Sequence, residues 1–180
     1  MEDSDRLKVY TAYADIGRKW TPIMDSKGAF LSALNGAMLA FLWSGLKVEQ
    51  WSGVAKLFAV TSTICSITAL MAALLVILPR EKFSVLVGLR TPWKQEYQPL
   101  SFYGYIAKRY GNLGKSGFKE MVRDCTAAEE KDFAFEALEQ HYAISCVVQS
   151  KGNWVFRAGC FTLFSLACIG VSMFVKLLWE

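Results

Sequence analysis

Three uncharged apolar runs, Gly28–Leu46, Leu57–Leu78 and Ala158–Val175, stand out from a chain whose other positions are mixed in polarity. They hold 19, 22 and 18 residues, and a hydrocarbon core of roughly 30 Å needs about 20 residues in a helix. Charge stops where lipid would begin: Asp25 and Lys27 precede the first run, Lys47 ends it, Pro79-Arg80-Glu81-Lys82 closes the second, and Arg157 and Lys176 bracket the third. A soluble domain of 180 residues is too small to bury three helices that are apolar all round. The pattern therefore predicts an all-α membrane protein with three transmembrane helices in a two-plus-one order and a helical cytoplasmic segment between the second and third. A cleaved leader is not expected, because 27 mostly polar residues with five acids precede the first run.

Basic residues set the expected orientation. Seventeen of the twenty Lys and Arg fall in the N-terminal arm or in the long connection from Arg80 to Arg157, and only Lys47, Lys56 and Lys176 fall on the other side. The positive-inside rule then places both large polar segments in the cytoplasm. The expected order is a cytoplasmic amphipathic helix over 1–27, a hairpin of spans over 28–46 and 57–78, a cytoplasmic sensor segment over 79–157, a third span over 158–175 and an external tail over 176–180. In the arm, Leu7, Tyr10, Ala14 and Gly17 share a helical stripe, with Tyr13 and Trp20 beside it. Such a helix can lie on the membrane surface or pack on the sensor segment.

The long connection opens as a turn-rich stretch, with Pro92, Pro99, Gly104, Gly111, Gly114 and Gly117, and one short helix is predicted near Phe102–Tyr110. From Lys119 the pattern turns helical. A helix starting near Thr126 is expected to run through Ser150 into the third span, with Gly152-Asn153 as its weak point.

Chemistry is sparse, and this points away from an enzyme. The only histidine, His141, sits beside Leu138 and Ser145 at helical spacing and reads as packing or surface. One imidazole offers neither a zinc site nor a nucleophile–base–acid set. The five cysteines include no C-x-x-C pair, so no metal or disulfide framework is expected. Glu129, Glu130, Glu136 and Glu139 read as a solvated acidic face. Gly114-Lys115-Ser116 resembles the end of a phosphate-binding loop, but Arg109 stands where that loop needs its first glycine, so an ATPase is rejected. The net charge of +4 lies along the membrane flanks and suits anionic headgroups rather than DNA or RNA.

The spans carry two further signals. Gly28, Ser32, Gly36, Ala40 and Ser44 recur every fourth residue and form a stripe of small side chains, fit for close helix packing within one subunit or between subunits of a homo-oligomer. Asn35 lies beside it near mid-bilayer and needs a hydrogen-bond partner, from a neighbouring helix or another subunit. Thr61, Ser62, Thr63, Ser66 and Thr68 can bond back to their own helix. No ionisable residue lies within any run, which argues against a proton-coupled transporter.

In this frame the chain resembles the transmembrane effectors of bacterial Pycsar anti-phage systems. The resemblance rests on Asp25-Ser26-Lys27-Gly28 followed by Leu34-Asn35-Gly36-Ala37, on Ser101-Phe102-Tyr103-Gly104-Tyr105-Ile106-Ala107, and on the polar helix from Gln140-His141 through Lys151 to Arg157-Ala158. It implies an inner-membrane effector that responds to a cyclic pyrimidine mononucleotide made by a partner cyclase, then oligomerises or rearranges and disrupts the membrane. No cofactor is implied beyond that activating ligand. With that implication, Tyr103, Tyr105, Lys108 and Arg109 are candidate ligand contacts. Asp25, Lys27, Lys151 and Arg157 are candidates for a gating cluster at the membrane edge, in which Asp25 and Lys27 could pair; ordinary anchoring explains the same cations. The competing functions are a constitutive ion channel or small transporter, and a membrane anchor or scaffold for a soluble partner.

Overall fold

The computed structural model describes residues 3–51, 53–78, 100 and 103–179, and among them every regular element is helical. Among the described residues there are five α-helices: α1 (Asp3–Ala40), α2 (Gly53–Ile77), α3 (Tyr103–Tyr110), α4 (Gly114–Ala127) and α5 (Glu130–Trp179). Three stretches, Ser4–Gly45, Gly53–Ile77 and Glu130–Leu178, are long and apolar enough to cross a membrane. The chain is thus an all-α membrane protein with three spanning helices. Arg80, Lys82, Arg90, Pro92, Pro99, Ser101 and Phe102 lie outside the described residues.

Contacts divide the chain into a first unit, Met1–Trp20 with Ser84–Val147, and a second, Thr21–Phe83 with Val148–Glu180. Both α1 and α5 contribute residues to each. The division in α1 falls beside Pro22, which lies inside the helix and supplies no backbone donor to the turn before it.

The second unit is built on a repeat of seven. Along α2, Ala55, Ala59, Ser62, Ser66, Ala69, Ala73 and Val76 are all buried, and Ala158, Thr162, Ser165, Ile169 and Ser172 do the same along α5. On α1 and the turn that follows it the corresponding series is Gly28, Leu31, Asn35, Met38 and Leu42. Spacings of three and four alternate in each, which holds one seam toward the neighbours over several turns. Most seam residues are small, so the backbones approach closely: a Cβ on Gly28 would lie 3.0 Å from Val76 Cβ and 3.2 Å from the Ala73 carbonyl oxygen. Past Ala40 the helix widens into a π turn, Phe41–Gly45, closed by a 2.9 Å bond from Leu46 N–H to the Phe41 carbonyl. Lys47 (φ 51°) then turns the chain back, and Trp51 is buried with Leu42, Val48 and Ala55.

In the first unit the α1 stripe packs on α5. Ala14 and Gly17 are buried; a Cβ on Gly17 would come within 2.9 Å of Ile144 Cγ2, and the Tyr13 and His141 rings stand 5.7 Å apart. Arg18 Nη2 donates to Gln140 Oε1 at 2.6 Å. Pairs 13–141 and 17–144 rise together, so the two segments run parallel.

Three details of the connection differ from the expected pattern. Gly111–Leu113 form a 3-10 turn and Gly114 opens α4, so Gly114 and Gly117 belong to a helix rather than to the turn-rich stretch. The long helix starts at Glu130 instead of near Thr126, because Ala128 is extended (ψ 140°) and Asp132 Oδ2 accepts the Glu129 N–H at 3.0 Å, capping a new first turn. It then runs unbroken through Gly152-Asn153. A helical glycine costs only about 1 kcal/mol relative to alanine, and the next residue, Trp154, packs on the cluster of Ala72, Ala73 and Ala158.

Among the described residues of the first unit the tightest glycine contact is at Gly117, where an added Cβ would sit 2.2 Å from the Tyr110 carbonyl oxygen. Backbone cannot yield as a side-chain tip can. Gly117→Ala is expected to separate α3 from α4 and destabilise them by about 1–3 kcal/mol, the usual range for overpacking. Faster amide exchange confined to residues 103–127 would record it; unchanged exchange would contradict the contact.

Candidate functional site

Lipid offers no hydrogen bonds, so the polar side chains inside the second unit reveal how its helices are tied. Asn35 on α1 is fully buried, and its Nδ2 donates to Thr162 Oγ1 on α5 and to the Leu31 carbonyl, each at 2.8 Å. Thr162 in turn donates to the Ala158 carbonyl at 2.8 Å. One turn further, Ser165 Oγ lies 2.7 Å from both Ser62 Oγ and Ser66 Oγ of α2. Thus α5 is joined to α1 by an amide–hydroxyl contact and to α2 by a knot of three hydroxyls. Thr61, Thr63 and Thr68 bond back to the carbonyls of Leu57, Ala59 and Ile64, and Thr63 Oγ1 also accepts from Trp43 Nε1 at 3.1 Å. The tie is incomplete: among the described residues, Asn35 Oδ1 and Ser32 Oγ are buried without a hydrogen-bond partner. An unmet buried acceptor of this kind costs about 1–3 kcal/mol.

At the edge of this unit Lys151 Nζ donates to Asp25 Oδ1. The lysine side chain is 9% exposed and the aspartate 36%, so removing either partner alone would leave the other charge poorly solvated. Asp25 is paired with Lys151, not with Lys27, which is exposed. Helical spacing explains the choice: residues two apart point to different sides of α1. Arg157 stands apart, with its guanidinium 5.0 Å from the Trp154 ring centre.

The small-residue stripe divides. Gly28 packs on α2, whereas Gly36, Ala40 and Ser44 are exposed, and nothing lies within 4 Å of a Cβ built on Gly36. A step of four residues turns a helix by roughly 40° beyond a full circle, so a stripe at that period winds off the seam that alternating threes and fours maintain.

The first unit holds a second polar centre, made by α3 and α4. Tyr110 OH donates to Asp124 Oδ2 at 2.8 Å, and Arg109 reaches Asp124 Oδ2 at 3.3 Å and Tyr105 OH at 2.9 Å. The guanidinium lies 5.9 Å and 5.5 Å from the Tyr105 and Tyr110 ring centres, which meet edge to face. Burial, and then the Asp124 hydrogen bond, push the Tyr110 hydroxyl up to about 12. That same hydrogen bond, aided by Arg123 and Arg109, holds the Asp124 carboxyl below the ordinary carboxylate range. The cluster brings Tyr105 and Arg109 together, but as a brace between helices. Lys108 is exposed and outside it, and the side chain of Tyr103 lies outside the described residues.

Elsewhere in the first unit, Glu136 and Glu139 are buried while Glu129 and Glu130 are exposed. The acidic run is therefore not one solvated face, because its second half turns inward; Gln140 Nε2 donates to Glu136 Oε1 at 2.9 Å. An open cleft between the starts of α1 and α5 is lined by Arg6, Tyr10, Lys131, Ala134 and Phe135. Thr162, Ser165 and Asp124 escaped the sequence reading, although the 158, 162, 165, 169 and 172 spacing carried a signal for the first two. Asp124 carried none, since its partners are set by how α3 meets α4.

A family model described as the Pycsar effector protein domain matches residues 12–176. No curated protein and no solved structure matches the chain.

Two outcomes are expected from these contacts. In a double-mutant cycle of Asn35→Leu and Thr162→Val, read from unfolding midpoints in micelles, the coupling should be about 0.6 kcal/mol and at most about 1.7, the range of interhelical hydrogen bonds in membranes; zero coupling would dissolve the tie. The brace should also be bounded in pH. A lowered Asp124 contributes stability above the ordinary carboxylate range and loses it as pH falls, whereas a raised Tyr110 contributes below about pH 10 and loses it as pH climbs toward about 12. Urea midpoints for residues 103–127 should therefore fall at both extremes, and Asp124→Asn should abolish the acid limb.

Proposed function

Because the chain belongs to the Pycsar effector family, and is thus a membrane effector of anti-phage defence, we propose that it is switched by a cyclic pyrimidine mononucleotide and then rearranges or oligomerises to disrupt the inner membrane. The messenger comes from a partner cyclase. No catalytic step is assigned to the chain itself; its output is a change in the bilayer.

The single observation that carries this reading is the incomplete polar tie of the second unit. Helices in lipid gain nothing from hydrophobic burial against one another, so small-residue packing and a few hydrogen bonds must hold them. Here the described bonds are one amide–hydroxyl contact, one serine knot and the Trp43 indole on Thr63, and among the described residues Asn35 Oδ1 and Ser32 Oγ within the bundle go unmet. An arrangement that leaves acceptors unmet has close competitors in which they are met. Gly36, Ala40 and Ser44 line α1 outside the seam and offer a surface on which a second copy can pack closely. The Asp25–Lys151 pair lies before the apolar runs that begin at Gly28 on α1 and Ala158 on α5, and its loss would free both helices there. Helices α1 and α5 run through both units, a covalent route by which ligand binding in one biases the other.

We further propose that the first unit is cytoplasmic, with the N-terminus inside and the C-terminus outside. Basic residues support this, since only Lys47, Lys56 and Lys176 fall on the opposite side.

Expression of the chain alone should be harmless, and supply of a cyclic pyrimidine mononucleotide should collapse the membrane potential. Asn35→Leu and Gly36→Leu should each blunt that collapse at equal membrane abundance. Depolarisation without ligand would replace this reading with a constitutive channel. No depolarisation under either condition would replace it with an anchor for a soluble partner.

A further inference from the structure

The side chains that tie the spans together also stand where a water-filled path would need them. Asn35, Ser62, Ser66, Thr162 and Ser165 occupy two adjoining layers of the second unit, and each is 3% exposed or less. Ser172, two turns beyond Ser165 on α5, is fully buried too, and its hydroxyl donates to the Ile169 carbonyl of its own helix at 3.0 Å, a bond that joins no second helix. Close packing does not require hydroxyls at such positions. Ala55, Ala59, Ala69 and Ala73 fill the same seam on α2, as Ala158 does on α5. Burying a hydroxyl carries a desolvation cost that alanine avoids. The bundle accepts that cost in its interior, while Phe30, Leu57, Ile64, Met71, Leu163 and Phe174 are each at least 58% exposed on its outer faces.

Toward the turn between α1 and α2, apolar side chains close these layers. One turn beyond Asn35 and Ser165, Met38 and Ile169 are 6% and 8% exposed, and they share a cluster with Leu42, Val48 and Trp51. A hydrophobic constriction bars ions by excluding water. Behind it, α2 and α5 present short side chains, so a small separation of the helices opens a gap with no bulky plug on those two sides. Asn35 Oδ1 and Ser32 Oγ, buried without a hydrogen-bond partner among the described residues, would be satisfied by water entering there.

We propose that, once α5 draws away from α1 and α2, the polar layers become the wall of a water-filled path for small inorganic ions, with Met38 and Ile169 as its gate. The trigger rests on the proposed function above; what is added is that the bilayer fails through a lined path instead of general disorder. Hydroxyls and an amide both donate and accept, and no ionisable residue lies within the apolar runs. The path therefore passes cations and anions with little preference.

Ion flux from phosphatidylethanolamine and phosphatidylglycerol vesicles that hold the full chain tests this without any nucleotide. Ile169→Ser and, separately, Met38→Ser should raise potassium and chloride flux about 10- to 100-fold over the wild-type chain, the factor that one large apolar side chain is worth in a barrier. Leu163→Ser, at a position 69% exposed on the outer face, should leave the flux unchanged. Adding Ser165→Cys to Ile169→Ser should make the flux sensitive to a water-soluble thiol reagent, with the same reagent on Ile169→Ser alone giving the baseline from the native cysteines. The lined path is overturned if neither gate variant leaks at wild-type helix content by circular dichroism, if Leu163→Ser leaks as much as they do, or if the reagent leaves the Ser165→Cys flux at baseline. The messenger reading is decided separately, by whether 3′,5′-cyclic cytidine or uridine monophosphate makes wild-type vesicles leak. Its failure would leave a leak through the gate variants standing as support for the path.

Discussion

Inside a bilayer no water can complete a hydrogen bond, and this one constraint organises the second unit. Every backbone group of the spans must be satisfied within its own helix, and every polar side chain must reach a carbonyl or another helix. Threonines 61, 63 and 68 take the first solution. Asn35, Ser62, Ser66, Thr162 and Ser165 take the second. With no hydrophobic drive to bring helices together in lipid, those few contacts and the small residues around them decide which helix lies against which.

The first unit obeys a different economy. Its helices meet through burial of small residues, as with Ala14 and Gly17 on α5. Its polar contacts serve to fix angles. The Arg109–Tyr110–Asp124 brace settles how α3 meets α4, and Gly117 lets the two chains approach.

Much of the architecture could be read from the chain. Apolar runs of about twenty residues have few other uses, so three spans followed from length and charge. The family resemblance, read from three short motifs, agrees with a match that covers most of the chain. The candidate site was less legible. Tyr105 and Arg109 were named with Tyr103 and Lys108 as candidate ligand contacts, but composition cannot show that Asp124, fifteen residues beyond Arg109, already engages the guanidinium. The same holds for Glu136 and Glu139, whose inward turn depends on where α1 lies.

The seam of the spans marks the limit most sharply. A helix repeats every 3.6 residues, so a strict step of four drifts around it while alternating threes and fours do not. Both patterns are present on α1 and share Gly28. From the sequence alone came helices long enough to cross lipid, an Asn at mid-span that required a partner, and charges marking the membrane edges. The tertiary structure alone decided that Thr162 is that partner and that Asp25 pairs with Lys151. The reason is that a helix forms from contacts three and four residues away, whereas the choice between two of its faces rests on residues more than a hundred positions distant.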